Sequence, residues 1–223
     1  MTNRVSWGIL GNATIARKCV IGAIQKSRNG RVHALATRSP ADAAEVVAKN
    51  GIRTVYDNYG DVLADPAVDA VYIPLPNHMH LPWTLKALSA GKHVLCEKPL
   101  ACNAGEACEM AARAKETGLL LMEAFMYRFH PRSRHIKQIV DQGESGNPCL
   151  VRSAFCYHMD DDILQSGDNP RLQADLGAGA LLDVGCYSVS VARWLIGAEP
   201  TAVQAQAVYD SAGVDLHLVG TLG

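Results

Sequence analysis

The sequence has no block of basic residues; its 21 Lys and Arg are offset by 22 Asp and Glu, for a formal net charge of −1. Nucleic acid is therefore not an expected partner, because binding a phosphate backbone needs a clustered cationic surface. The seven cysteines (positions 19, 96, 102, 108, 149, 156 and 186) include no C-x-x-C pair and no zinc-type spacing, so no metal site is expected. Several of them fall at apolar periodic positions and read as small core residues in a reducing compartment. Met1-Thr2-Asn3-Arg4 leads directly into an apolar strand pattern with no signal-type stretch. No apolar run reaches the roughly 20 residues of a bilayer span. These absences lead to the expectation of a cytoplasmic protein with no membrane association. There is no internal repeat and no low-complexity segment. What is present, 48% hydrophobic and 19% charged residues over 223 positions, is enough for a core and for one to two domains.

Val5 to Leu10 reads as a strand and Gly11-Asn12-Ala13-Thr14-Ile15-Ala16 as the turn after it. Ala16, Cys19, Val20, Ala23 and Ile24 then recur with the spacing of a helix that buries one face, with Thr14 as its candidate N-cap. Strand, glycine turn and helix form the setting of a dinucleotide fingerprint, here in the degenerate form Gly11-x-Ala13-x-x-Ala16. Such a helix start presents N–H groups and a positive dipole end to a pyrophosphate; an ordinary βα turn is the alternative. A second strand, Arg31 to Thr37, ends at Arg38. NAD sites usually place an acid here for the ribose 2′-hydroxyl, whereas an arginine suits the 2′-phosphate of NADP, so NADP is expected over NAD. The pattern continues with a helix over 41–49, a strand at Val55-Tyr56, a helix over 59–64 and a fourth strand from Val68 to Leu75. Asn77 and His80 stand where that strand turns into a helix containing Pro82, and either can offer a hydrogen bond to a ribose or substrate hydroxyl.

Gly91-Lys92-His93-Val94-Leu95-Cys96-Glu97-Lys98-Pro99 is a short buried strand that breaks into an acid, a base and a proline. Open α/β sheets handle ligands at the carboxyl ends of their strands. Proline biases the residue before it toward extended backbone, so Lys98 is expected on stiff backbone as a candidate catalytic group; a solvated lysine after a core strand is the alternative. Asn103 and Glu106 form a capping box for a helix with Ala107, Met110, Ala111 and Ala114 inward, and Leu119 to Met122 makes a sixth strand. Strands alternating with helices predict a doubly wound parallel sheet over residues 1–124.

The second half, residues 125–223, reads as α+β. It has a helix over 132–142, an alternating strand from Leu150 to His158, a polar irregular stretch from Asp160 to Gln173, and a helix over 180–196. Asp183 and Tyr187 lie one turn apart on that helix. Ala202–Tyr209 and Val214–Leu222 are expected strands. So small a sheet with an unpaired edge reads as part of a larger, mostly antiparallel one.

Trp7-Gly8-Ile9-Leu10-Gly11, Thr37-Arg38, Tyr72-Ile73-Pro74-Leu75-Pro76-Asn77 with His80, Glu97-Lys98-Pro99 and Gly179 to Tyr187 together resemble the glucose–fructose oxidoreductase / inositol dehydrogenase / MocA-like family. The resemblance covers essentially the whole chain. It is most similar to the dihydrodiol dehydrogenase and NADP-dependent xylose-type aldose dehydrogenase branches. It implies a Rossmann domain followed by a substrate and dimerisation domain, and Lys98, Asp183 and Tyr187 as the catalytic group facing a nicotinamide across the domain cleft. It implies a cofactor set from the first turn (Gly11, Asn12, Ala13, Thr14, Ile15) and from the second strand end (Thr37, Arg38). Pro74, Leu75, Asn77 and His80 follow the fourth strand in that set, and Glu97, Lys98 and Arg128 complete it. The implied reaction moves a hydride between NADP and a carbinol or carbonyl of a sugar or vicinal diol. The hydroxyl proton leaves through Lys98 or Tyr187, both of which remain candidates. A homo-oligomer through the C-terminal sheet is also implied. A non-catalytic dinucleotide-binding sensor of the same fold is the rival reading.

Overall fold

The computed structural model of the chain describes residues 4–166 and 169–223. The chain divides into two compact units, Met1–Ala124 and Phe125–Gly223.

In the first unit, strands β1 (Val5–Leu10), β2 (Gly30–Ala36), β3 (Thr54–Tyr56), β4 (Ala70–Ile73), β5 (His93–Cys96) and β6 (Leu121–Glu123) pair in the order β3-β2-β1-β4-β5-β6. Every pairing is parallel. Helices α1 (Ile21–Lys26), α2 (Pro40–Asn50), α3 (Tyr59–Ala64), α4 (His80–Ser89) and α5 (Ala104–Thr117) join them. The two-residue period of a strand sends alternate side chains to opposite faces. Leu10, Val71, Ile73, Val94 and Cys96 thus enter one core, and Ile9, Leu35 and Tyr72 the other. Both faces of the sheet are covered, so β4 is buried at every position. Gly8 marks a close approach: a Cβ there would lie 2.4 Å from Val62 Cγ1 of α3.

The helix after β1 departs from simple periodicity. It opens with a π turn, Ala16–Val20, before α1. The wider turn shifts the phase by one residue, so the buried positions are Ala16, Ile21 and Ile24, while Cys19 and Ala23 face outward. Thr14 lies inside the helix, whose first bond runs from Arg17 N–H to the Ala13 carbonyl at 3.1 Å, so Thr14 is not its cap. Of the seven cysteines only Cys96 is buried, against the expectation of several core thiols. On α5, Asn103 caps Glu106 N–H at 3.0 Å and Glu106 returns to Cys102 N–H at 3.0 Å; Met110 and Ala114 are buried but Ala111 is exposed.

The second unit holds α6 (Pro131–Asp141), α7 (Asp161–Ser166), α8 (Cys186–Ile196) directly after a π turn at Leu181–Gly185, and the antiparallel pair β7 (Val203–Tyr209) and β8 (Asp215–Leu222). Residues 150–158, expected as a strand, form no ladder among the described residues; alternation prepares a face but does not supply a partner. The stretch expected to be irregular contains α7 and a 3₁₀ turn at Pro170–Leu172, and its residues 167 and 168 lie outside the described ones. The run Ala174–Ile196, mean hydropathy 1.2, is long and apolar enough to cross a bilayer by length and composition alone, against the expectation of none. It is not one uniform helix, since a 3₁₀ turn, a left-handed Gly177 and the π turn interrupt it.

Candidate active site

The order β3-β2-β1-β4 makes the chain cross to opposite sides of β1, and in such sheets ligands bind beyond the strand ends at that switch point. An open groove of about 550 Å³ lies there. Gly11, Asn12 and Ala13 line it from the end of β1, Thr37, Arg38, Ser39 and Asp42 from the end of β2, and Pro74, Leu75 and Pro76 from the end of β4, with Arg17 and Tyr59 completing it. Gly11 has φ 112°, a region that disfavours any side chain, and a Cβ there would lie 3.1 Å from Leu75 Cδ2. Its N–H donates to the Ala36 carbonyl at 2.9 Å. Thr37 is buried, and its Oγ1 accepts Ser39 N–H at 3.1 Å, which shapes the loop that carries exposed Arg38. Among the described residues Arg38 forms no ion pair. Among the described residues Asn12 Oδ1 is buried without a hydrogen-bond partner. A turn opened by a glycine, two guanidiniums and an unmet acceptor that a ribose hydroxyl can meet fit a phosphorylated nucleotide. Thr14 and Ile15 follow on the helix but do not line the groove.

Lys98 follows β5 on the same carboxyl edge, and the chain on each side of it is pinned. Tyr72 OH donates to Glu97 Oε1 at 2.5 Å, and Lys98 N–H donates to Glu97 Oε2 at 3.2 Å. The Glu97 carboxylate is thus engaged with Tyr72 and with the backbone of Lys98. Burial first, and Glu97 second, push the Tyr72 phenol far above its usual value, so it stays protonated as that donor. The Lys98–Pro99 peptide is cis. The Pro99 carbonyl faces His80 Nδ1 at 2.8 Å, and Leu100 N–H donates to Glu123 Oε1 at 2.8 Å. His80, expected to meet a ligand, is 0% exposed, and its other ring nitrogen faces the Leu75 carbonyl at 2.8 Å. It is a bracket joining the end of β4 to the Lys98 loop, a role that its position in the sequence does not separate from ligand binding. Burial holds its pKa below the usual histidine value, against the opposing pull of the two carbonyls. Lys92, also in this motif, is buried and donates to the carbonyls of Asp65 and Val68 at 2.7 Å each.

In the second unit the Asp183–Tyr187 helix is seated by β8: Asp215 Oδ2 accepts Leu181 N–H at 2.7 Å. Asp183 Oδ2 takes two donors, Tyr157 OH at 2.8 Å and Arg171 Nε at 3.2 Å. Burial, and then Asp183, push the Tyr157 phenol up to about 12. Tyr157 therefore keeps its proton at neutral pH. The Tyr187 ring packs among Phe125 (5.3 Å between centroids), Phe155 (5.4 Å) and Tyr127 (6.3 Å), with its OH 3.5 Å from Met126 Sδ. Arg128 is occupied inside this unit, donating to Ser190 Oγ at 2.9 Å and to Tyr127 OH at 3.3 Å. Tyr157, Arg171 and Arg17 were not identified from the sequence. Tyr157 was visible only as one residue of an alternating face, and Arg171 lay in a stretch without periodicity.

The chain is similar to known proteins along both units. The family model described as "Oxidoreductase family, NAD-binding Rossmann fold" matches residues 5–125, and the one described as "GFO/IDH/MocA C-terminal domain" matches residues 133–223. The D-xylose 1-dehydrogenase (NADP(+)) 2 of Haloferax volcanii is 41% identical over 216 residues; the match covers 97% of this chain and 65% of that protein. The structure of an aldose-aldose oxidoreductase from Caulobacter crescentus, complexed with glycerol, superposes with a TM-score of 0.85 at 29% identity, covering 99% of this chain and 67% of that one. A 3-ketoreductase from Actinomadura kijaniata, in complex with NADP and TDP-benzene, superposes with a TM-score of 0.82 at 34% identity, covering 97% and 65%. The chain therefore spans about two thirds of the length of its relatives. Two family models that between them take in both units, together with a switch-point groove on the sheet those models describe, establish that the chain belongs to the GFO/IDH/MocA oxidoreductase family.

Proposed function

We propose that the protein is an NADP-dependent oxidoreductase acting on a carbinol or carbonyl of a sugar or vicinal diol. The observation that carries this reading is the carboxyl edge of the first unit. There a glycine turn, an exposed Arg38 and Lys98, on backbone pinned by Glu97 and His80, all emerge from strands of one sheet. The relatives named for NADP and for sugars support the same reading.

The diphosphate would lie over the turn that begins at Gly11, and Arg38 with the Thr37–Ser39 loop would hold the 2′-phosphate. NADP, when bound, supplies a nicotinamide ring that takes or gives a hydride. The chain's own task is the proton and the orientation of the substrate. In this reading Lys98 orients the reacting oxygen, and its stiff surroundings limit the cost of holding it ready. Asp183, held by Tyr157 and Arg171, accepts hydrogen bonds from substrate hydroxyls. Tyr187 is the proton carrier, with Lys98 as the rival. Tyr157 instead donates to Asp183 Oδ2 and holds that acid in place. Residues 1–124 act as the cofactor-binding domain and 125–223 as part of the substrate domain. A cytoplasmic location belongs to the same proposal. Association of two chains is proposed through the β7–β8 pair, one face of which exposes Val208 and Val219.

The test is a panel of pentoses, hexoses and vicinal diols, each with NADP and with NAD, followed by the absorbance of the reduced nicotinamide. Turnover of at least one sugar or diol, faster with NADP, is expected. Binding of NADP without turnover of any panel member would favour a sensor over an enzyme.

A further inference from the structure

We propose that Arg17 positions the diphosphate of the nucleotide, reaching back over the first turn of its own helix to supply charge that Ala13 keeps away from the backbone. The inference rests on the dinucleotide reading of the groove given above. In a full fingerprint a second glycine lets the diphosphate settle directly on backbone N–H groups. Here that position is Ala13, whose methyl group holds a ligand off the backbone. Side chains on a helix lean toward its N-terminus, and Arg17 does so: Nη2 donates to Thr14 Oγ1 at 3.3 Å, and the side chain lines the groove beside Gly11, Asn12 and Ala13. That contact uses one of the five guanidinium donors. Among the described residues Arg17 forms no ion pair, so its charge is uncompensated. Asn12 Oδ1, buried without a partner among the described residues, is an acceptor that a ribose hydroxyl, not the diphosphate, can meet at the same turn. Asp42 also lines the groove but is outnumbered by Arg17 and Arg38. The two arginines divide the work. Arg38, after β2, reads the phosphate that only NADP carries, and Arg17, at the first turn, reads the diphosphate shared by NADP and NAD.

Calorimetric titration of the whole chain with NADP, NAD, ADP-ribose and adenosine 2′-monophosphate tests this. Arg17→Gln is expected to weaken the three diphosphate ligands by a common factor of about ten to a hundred, the worth of a charge-assisted hydrogen bond. Adenosine 2′-monophosphate, which lacks the diphosphate, should bind as before. Arg17→Lys, which keeps the charge but loses the fork, should recover part of the loss, and it serves as the informative variant should Arg17→Gln fail to fold. Unchanged binding of ADP-ribose, or a loss confined to NADP and adenosine 2′-monophosphate, would overturn the assignment. Should the unsubstituted protein bind none of the three diphosphates, the dinucleotide reading itself falls; if it binds them and Arg17→Gln is indifferent, only the role of Arg17 falls.

Discussion

Replacing Gly11 by alanine tests whether the first turn is built around the absence of a side chain. The residue sits at φ 112°, and a side chain forced there costs about 1–3 kcal/mol. The new Cβ would also lie 3.1 Å from Leu75 Cδ2, on a side chain only 9% exposed. Moving that leucine off its rotamer costs roughly a further 0.5–1.5 kcal/mol. The sum is about 1.5–4.5 kcal/mol, which for a chain of this size lowers the melting temperature by roughly 3–18 °C. If the backbone relaxes instead, the Gly11 N–H bond to the Ala36 carbonyl at 2.9 Å is lost and the groove floor moves. Either route should weaken NADP at least tenfold. Gly51→Ala is the control: its φ is 61°, it caps α2, and a Cβ there meets nothing within 4 Å. It should cost about 1 kcal/mol and leave NADP binding alone. Scanning calorimetry and NADP titration of both variants decide the matter. A Gly11→Ala protein that melts and binds like Gly51→Ala would refute the reasoning.

Four further outcomes are expected. Arg38→Ala should weaken NADP about ten- to a hundredfold and NAD hardly at all, by titration of both cofactors; equal losses would contradict its assignment to the 2′-phosphate. Lys98→Met should abolish turnover yet leave NADP affinity within a few-fold, and near-normal kcat would exclude it from the chemistry. Tyr187→Phe keeps the ring among Phe125, Phe155 and Tyr127 and should lower kcat by about 10²–10⁴ with no change in melting temperature. Burial depresses the folded-state pKa of His80 below its unfolded value of about 6.5, so below that pH the unfolded chain binds a proton that the folded chain refuses. Its contribution to stability is therefore full above pH about 6.5 and falls as the pH drops from there toward the depressed pKa. Urea midpoints at neutral and mildly acid pH should record that decline, and His80→Leu, less stable throughout, should show a shallower one.

The elements of the first unit were legible in the sequence because each is specified locally. Short apolar runs marked β1, β2, β4 and β5. Gly51 and Gly118 stopped α2 and α5, and the Asn103–Glu106 box opened α5. The nucleotide groove was legible for a related reason. Gly11, Thr37–Arg38 and Pro74–Leu75 each sit at a strand end, and the switch point of a doubly wound sheet gathers those ends. Local rules failed where one residue more or less resets the phase. The π turn at Ala16–Val20 moved the buried face from Cys19 to Ile21, and nothing in the spacing announced it.

Partner choice was beyond the sequence, because a hydrogen bond or a strand ladder is a property of two segments and periodicity describes one. Residues 150–158 alternate like a strand yet find no ladder among the described residues. His80 stands where a ligand contact belongs, but the fold closes the carbonyls of Leu75 and Pro99 over both its nitrogens. Asp183 was visible as an acid on a helix. That Tyr157 and Arg171, 26 and 12 residues away, both reach its Oδ2 was decided only when the chain folded back on itself.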